Sequence, residues 1–439
     1  MTSLAAAAAS SIAAGQGLEA AERAIRGGLL RLGASVLDDL LAADAGYAGP
    51  RAGCGAGHQA EFAGYRDKTV DTVLGAVTIR RAWYHCAECG HGFAPRDQQL
   101  GVAGQGMTPG LRKMTARAAA AVPFASASAL LHELAGVQVT AKRAGRRAEA
   151  DGTAAAARIQ AEADAVAARR VTLLPPPGPL PGKLYAAIDG TGVPMVAAET
   201  EHRPGKGEDG RARTREVKMA AVFTQTTVDD DGYPVRDPDS SSYLATLAPA
   251  PEFGILMAAQ ARRRGAGHIR QLTILGDGAV WIWNLAAQHF PEATQIVDLF
   301  HAREHVHELA NLAGRLLAGH RDEWLAERLA ELDAGDVGAL LAAGRGLRFT
   351  GSLARERDKA LHYFETNAHR MHYAWYRSLG LFVGSGVVEA GCKSVIGQRL
   401  KLSGMRWTEQ GATGILTLRC QERSNRWDQT WQDGRTYAA

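Results

Sequence analysis

"YAAIDGTGVPM", residues 185–195, decides how this chain is read. Leu184, Tyr185, Ala187 and Ile188 form an apolar run that ends in Asp189, and Gly190 and Gly192 follow at once. A strand buried on both faces reads as an unbroken apolar run. A carboxylate at its end is expected where the strand leaves the packing and a loop opens. "LTILGDGAVWIW" repeats the arrangement, with an apolar run into Asp277 and Gly278.

Around it, three strand candidates stand at Leu184–Asp189, Val193–Ala198 and Glu216–Val228, followed by a helix over Phe253–Arg264. "QLTILGD" then reads as a strand, "AVWIWNLAAQHF" as a helix and "ATQIVDLF" as a strand. Three strands able to meander, then alternating helices and strands, describe a mixed α/β sheet of the RNase H-like kind covered by helices. Its first part spans 184–301, a helical insertion 302–380, and the end of the core 381–425, before a tail over 426–439.

Ahead of the core, residues 1–45 are helical by composition. At "YAGPRAGCGAGH" the sequence turns to Gly, Cys and alternating residues, which opens a small β module over 46–104. "RDKTVDTVLGAVTIRRAWYHC" alternates β-branched and aromatic residues around Gly75, predicting a hairpin of two short strands. A helical region over 105–170 follows, and "LLPPPGPLPGK" marks a stiff linker over 171–183. No internal repeat is present.

The 439 residues carry 50 Lys+Arg against 46 Asp+Glu, a net charge of +4 that is too mild to demonstrate a nucleic-acid partner by itself. No apolar run is long enough to cross a bilayer, and the alanine-rich opening lacks the pattern of a secretion signal. Five cysteines, three of them between 54 and 89, do not make a disulfide framework. A reducing cytoplasm is the expected compartment.

Asp189 and Asp277, each at a strand end, joined by Glu389 from "GSGVVEAGCKSVIGQRLKLSGMRW", supply the oxygen ligands that Mg²⁺ prefers. Two such ions clamp the attacking and leaving oxygens of a phosphodiester displacement. Lys393, Arg399, Lys401 and Arg406 after Glu389 fit a helix whose acid faces the sheet while its basic residues face an anion. The plain alternative is that Asp-Gly pairs are turns. A phosphatase strand end is excluded, because Ala187 stands where its nucleophile would be.

"IDGTGVPM", "LGDGAVWIWN", "DLFHAREHV" and above all "GSGVVEAGCKSVIGQRLKLSGMRW" resemble bacterial insertion-sequence transposases of the ISKra type, which are similar to the Mutator-like group. The resemblance runs from about residue 50 to about residue 430. It implies a DDE core with catalytic Asp189, Asp277 and Glu389 holding two Mg²⁺ or Mn²⁺ ions. It also implies an accessory role for Asp298 and His301, which match an acid-x-x-His pattern, in holding the scissile DNA end or tuning the metal site. The expected activity is hydrolysis at element ends and strand transfer into target DNA, in the cytoplasm at the nucleoid, by a homodimer or larger assembly on double-stranded DNA. The alternatives are a non-catalytic DNA-binding relic of such an enzyme and an RNase H-like nuclease.

Cys86 and Cys89 form one half of a zinc ribbon, and Cys54 with His58 supply the other half with three residues between them. Related transposases carry a closer Cys pair there. Cys-His-Cys-Cys is sound chemistry for a structural Zn²⁺, with His85 and His91 as spare ligands. "SASALLHELAGVQVTAKRAGRRAEADG" reads as a helix over Ser126–Leu134, a turn at Ala135–Gly136 and a second helix from Thr140, a helix-turn-helix. Lys142, Arg143, Arg146 and Arg147 on that second helix are placed to meet DNA.

Overall fold

The computed structural model describes residues 2–174, 177–205, 210 and 212–432. Pro175 and Pro176 of the expected linker and residues 433–439 of the expected tail lie outside them. The chain divides into two compact units, Met1–Asp151 and Gly152–Ala439. The division falls inside one long helix rather than at the proline-rich segment.

The first unit runs α1 (Thr2–Ala13), α2 (Gly17–Ala42), β1 (Arg51–Gly53), β2 (Gln59–Thr72), β3 (Gly75–His85), β4 (Gly92–Phe93), α3 (Pro95–Gln99), α4 (Pro109–Ala121), α5 (Phe124–Ala135) and the start of α6 (Ala141–Ala167). The four strands form one antiparallel sheet in sequence order. Alternation along β3 buries Val77 and Ile79 with Val70, Val102 and Leu41, and Ala34 and Leu37 of α2 pack on that cluster. The hairpin strands are 14 and 11 residues long, not short. A bulge between Phe62 and Tyr65 absorbs a register shift in β2.

The second unit continues with β5 (Lys183–Pro194), a 3₁₀ turn (Ala197–Glu199), β6 (Thr214–Gln225), β7 (Thr227–Val228), β8 (Pro234–Val235), β9 (Ser242–Thr246), α7 (Ala250–Arg263), β10 (Gln271–Gly276), α8 (Val280–His289) and β11 (Thr294–Val297). Helices α9 (Leu299–Leu312), α10 (Arg321–Ala334), α11 (Val337–Gly346), α12 (Gly351–Asn367) and α13 (Tyr373–Ser378) follow. Next come α14 (Gly386–Gly391), a π-helical turn (Cys392–Gly397), α15 (Gln398–Leu400), α16 (Glu409–Arg423) and α17 (Trp427–Gln432). Part of the expected tail is therefore helical.

Five strands form a mixed sheet in the order β11-β10-β5-β6-β9. Strands β5, β6 and β9 run antiparallel in succession, while β10 and β11 are parallel to β5. Leu184–Ile188 are fully buried residue after residue, as a strand covered on both faces requires. Helices α7 and α14 pack on this sheet, and α16 packs on β9. A separate apolar cluster around Leu309, Ala313, Leu347 and Leu361 holds the helical layer together.

Two expectations change. The strand expected at Leu184–Asp189 runs on through Gly190 and Gly192 to Pro194, so Asp189 lies within β5 and does not end it, and the strand expected at Val193–Ala198 gives way to the 3₁₀ turn at Ala197–Glu199. The expected third strand, Glu216–Val228, is the second of the meander as β6, and the third is Ser242–Thr246. The long pairing of β5 with β6, from Lys183↔Gln225 to Pro194↔Thr214, overrides the turn tendency of Gly190 and Gly192.

Phe223, fully buried on β6, stacks on Tyr185 at 5.0 Å between ring centroids and meets the edge of Phe382 at 5.5 Å. Replacing it with alanine is expected to cost about 3–5 kcal/mol in urea unfolding. A loss below about 1 kcal/mol would contradict this packing.

Candidate functional site

Strand β10 pairs with β5 as far as Leu275↔Ala187. Asp277 and Asp189 each stand two residues beyond that last rung, at the same end of two adjacent parallel strands. There the sheet narrows: β10 leaves it, while β5 continues against β6 alone. Asp189 pairs with Met219 of β6, and Asp277 closes its own turn by accepting from the Ala279 amide at 2.9 Å. Gly278 makes that turn with φ +100°, and a Cβ there would stand 2.6 Å from the Tyr363 ring.

Tyr363 carries no motif in the sequence that singles it out. It comes from α12 of the helical insertion and donates its hydroxyl to the Asp277 carbonyl at 3.1 Å. Burial first, then the charges of Asp277, Asp298 and Glu304, push its phenol above the usual range, so it remains a donor. The His305 ring lies 3.9 Å from its ring centroid.

Glu389 lies on α14, which reaches the sheet through Gly391. A Cβ at Gly391 would stand 2.6 Å from Met219 Cε and 2.8 Å from the Tyr243 ring, so only a glycine lets the helix seat against the residue paired with Asp189. The next residue, Cys392, donates its thiol to Asp189 Oδ2 at 3.3 Å. Burial raises the Cys392 pKa, the charges of Asp189 and Glu389 raise it further, and Lys401 opposes them. Cys392 thus links the first and third acids.

Asp298 links the second and third. It is completely buried at the end of β11, and its amide donates to the Gly276 carbonyl at 2.8 Å, one residue before Asp277. Its Oδ1 accepts from the His301 amide at 2.8 Å, capping α9, and its Oδ2 accepts from the Ser385 amide. Ser385 Oγ in turn donates to Glu389 Oε1 at 3.2 Å. Asp298 is therefore an internal brace, fully buried and bonded to the chain's own amides. His301 is half-buried with Nδ1 3.2 Å from Glu304 Oε2. Burial pulls its pKa down, but Asp298, Glu304 and Asp277 outweigh that and raise it.

The basic residues after Glu389 divide. Lys393, Lys401 and Arg406 are exposed, and Lys401 donates to Thr191 Oγ1, two residues from Asp189. Arg399 does not face solvent: it is fully buried, 5.1 Å over the Trp407 ring, with Nη1 3.4 Å from Met405 Sδ. A planar, weakly hydrated guanidinium tolerates such a place where an ammonium would not. The π turn that follows α14 is held by Arg419, which donates to the carbonyls of Ser394 and Val395.

In the first unit, one potential ligand atom each from Cys54, His58, Cys86 and Cys89 lie within 4.8 Å of one another. Cys54 Sγ is 3.9 Å from Cys89 Sγ, and Cys86 Sγ is 3.9 Å from His58 Nδ1. Zn–S bonds of about 2.3 Å in a tetrahedron put sulfurs about 3.8 Å apart, so the four donors fit a zinc ion. The Ala56 amide chiefly lowers the Cys54 pKa, to about 7, with help from the His58 amide. The spare candidates His85 and His91 stand outside the set. Among the described residues this is the one cluster of three or more such side chains close enough to hold a metal, so Asp189, Asp277 and Glu389 are not gathered into a ready ligand set.

Also in this unit, α5 ends at Gly136 and α6 begins after Thr140, whose hydroxyl accepts from the Arg143 amide at 3.3 Å. Arg143 is paired with Asp71 and donates to the Gly106 carbonyl at 2.7 Å. Arg147 grips Asp151 through two bonds of 2.9 Å. These two arginines hold the unit together, which leaves Lys142 and Arg146 as the exposed cations of the four. No described helix is long and apolar enough to cross a membrane. Compared with known proteins, the chain matches no family model and no curated relative.

Elemental analysis of the purified protein is expected to find one zinc per chain, with Cys86→Ser lowering it well below stoichiometric. Because protons compete for the thiolates, retention against a chelator is expected to weaken as pH falls below 7; equal retention at pH 6 and 8 would contradict the ligand set. Asp298→Ala, which strands the Ser385 and His301 amides, is expected to destabilise the second unit by about 3 kcal/mol in urea unfolding. A change within about 0.5 kcal/mol would mean the brace carries no load.

Proposed function

We propose that the chain is a DDE transposase of a bacterial insertion sequence, of the ISKra type and similar to the Mutator-like group, with an RNase H-like core. The observation that carries this reading is the register of the two aspartates, each two residues past the last rung between β5 and β10. The strand order, with a three-stranded antiparallel meander and two strands parallel to its first, supports it. So does the seating of α14, with Glu389, on the residue paired with Asp189.

Asp189, Asp277 and Glu389 are the residues that would hold Mg²⁺ or Mn²⁺, which when bound activates the nucleophile and neutralises charge on the phosphodiester. The chain's own contribution is orientation. Cys392 fixes one oxygen of Asp189, Ser385 fixes one oxygen of Glu389, and Tyr363 holds the loop that carries Asp277. Lys393, Lys401 and Arg406 present positive charge beside them for the DNA backbone. In the first unit, Lys142 and Arg146 on the second helix of the helix-turn-helix, together with the zinc module, would read the element end.

The test is cleavage of labelled element-end DNA with Mg²⁺ or Mn²⁺ by wild type, Asp189→Asn and Glu389→Gln. Metal-dependent nicking at the end is expected from wild type, falling at least ~10³-fold in both variants while DNA binding is kept. Binding without cleavage by wild type on every end tried would favour the DNA-binding relic, and equal cutting of RNA–DNA hybrids the nuclease. Activity surviving both substitutions would remove these acids from the site.

A further inference from the structure

Phe300, the second residue of α9, is 57% exposed, yet its position is fixed. Leu299 beside it is buried and donates its amide to the Val383 carbonyl at 2.9 Å, while Asp298 caps the helical turn from which the ring projects. The ring lies against Gly384. A Cβ there would stand 2.8 Å from Phe300 Cε2 and 3.0 Å from Cδ2, so only a bare Cα lets the ring settle. Arg303, one turn further along α9, has its guanidinium 5.8 Å from the ring centroid and is itself tied to Asp333.

A lone apolar side chain on a surface is ordinary, so the place of this one matters more than its exposure. Gly384 immediately precedes Ser385, whose amide donates to Asp298 and whose hydroxyl donates to Glu389. The Asp298 amide is in turn bonded to the Gly276 carbonyl, one residue before Asp277. The ring is therefore seated on the same hydrogen-bonded link that positions the second and third acids.

We propose that Phe300 is a platform for a nucleobase: the base that adjoins the scissile phosphate leaves the duplex stack and lies on this ring. The inference rests on the transposase reading and deepens it by naming where the substrate's base goes. A phosphodiester brought to the acids brings its flanking nucleotides with it, and a base inside a duplex offers no free face until it is unstacked. An aromatic ring holds an unstacked base without reading its identity, because every base has a π-face.

The test compares wild type, Phe300→Ala and Phe300→Trp on labelled element-end DNA with Mg²⁺. The duplex is used intact and with the nucleotide on either side of the cleaved bond made abasic in turn. On intact DNA Phe300→Ala is expected to cut about 5- to 150-fold more slowly, the worth of one base stacked on an aromatic side chain, and Phe300→Trp to cut near the wild-type rate. On the duplex that lacks the stacked base, wild type and Phe300→Ala are expected to cut alike. Undiminished cutting of intact DNA by Phe300→Ala overturns the proposal, and so does an equal deficit on every duplex, which is what a role in folding alone would give. A second arm does not depend on cleavage. With Ca²⁺ in place of Mg²⁺, wild type is expected to bind end DNA with an unpaired terminal nucleotide more tightly than the fully paired duplex, a preference that Phe300→Ala loses. If wild type cuts no end, the catalytic reading fails and this preference decides alone: its absence from wild type, or its persistence in Phe300→Ala, overturns the proposal.

Discussion

A carboxylate with no exposure to water must find its hydrogen bonds inside the protein or be expelled from the fold. Asp298 finds two for its carboxylate and a third for its own amide, at His301, Ser385 and Gly276. Its backbone reaches the end of β10, one carboxylate oxygen starts α9, and the other receives the first amide of the segment that becomes α14. The loop bearing Asp277 and the helix bearing Glu389 are thus both referred to one buried group. The helical layer that intervenes in sequence adds a third support, since Tyr363 of α12 donates to the Asp277 carbonyl.

The sheet itself contributes the other fixed point. Parallel pairing of β5 and β10 sets Asp189 and Asp277 level, and the antiparallel extension of β5 on β6 gives α14 a surface to seat on. Gly391 is the joint: with no side chain, the helix comes close enough for Cys392 to reach Asp189. Stability and placement of the acids therefore draw on the same contacts.

Much of this was legible in the sequence. Unbroken apolar runs located β5, β10 and β11, and the Cys and His spacing located the ligand cluster, because both signals are local. What escaped depends on partners remote in sequence. Gly190 and Gly192 look like a turn until β6 pairs across them; a bare Cα at Gly190 makes room for the Glu216 carboxylate. "SYLAT" is too short to stand out, and is a strand only because β6 offers an edge. Arg399 sits among other basic residues and carries no mark of its burial under Trp407, and nothing near Tyr363 in sequence points to Asp277.

The π turn at Cys392–Gly397 sets the angular phase of everything after it. A regular α-helix advances about 100° per residue, so a turn that takes in one extra residue rotates the following side chains by about that angle relative to Glu389. Removing a single residue from this turn would leave the composition of the segment almost untouched, yet it would swing Arg399 out from beneath Trp407 and carry Lys401 away from Thr191. The spacing between the acid and the cations is in this sense a rotational dial, and Arg419, by holding the turn's carbonyls, keeps it set.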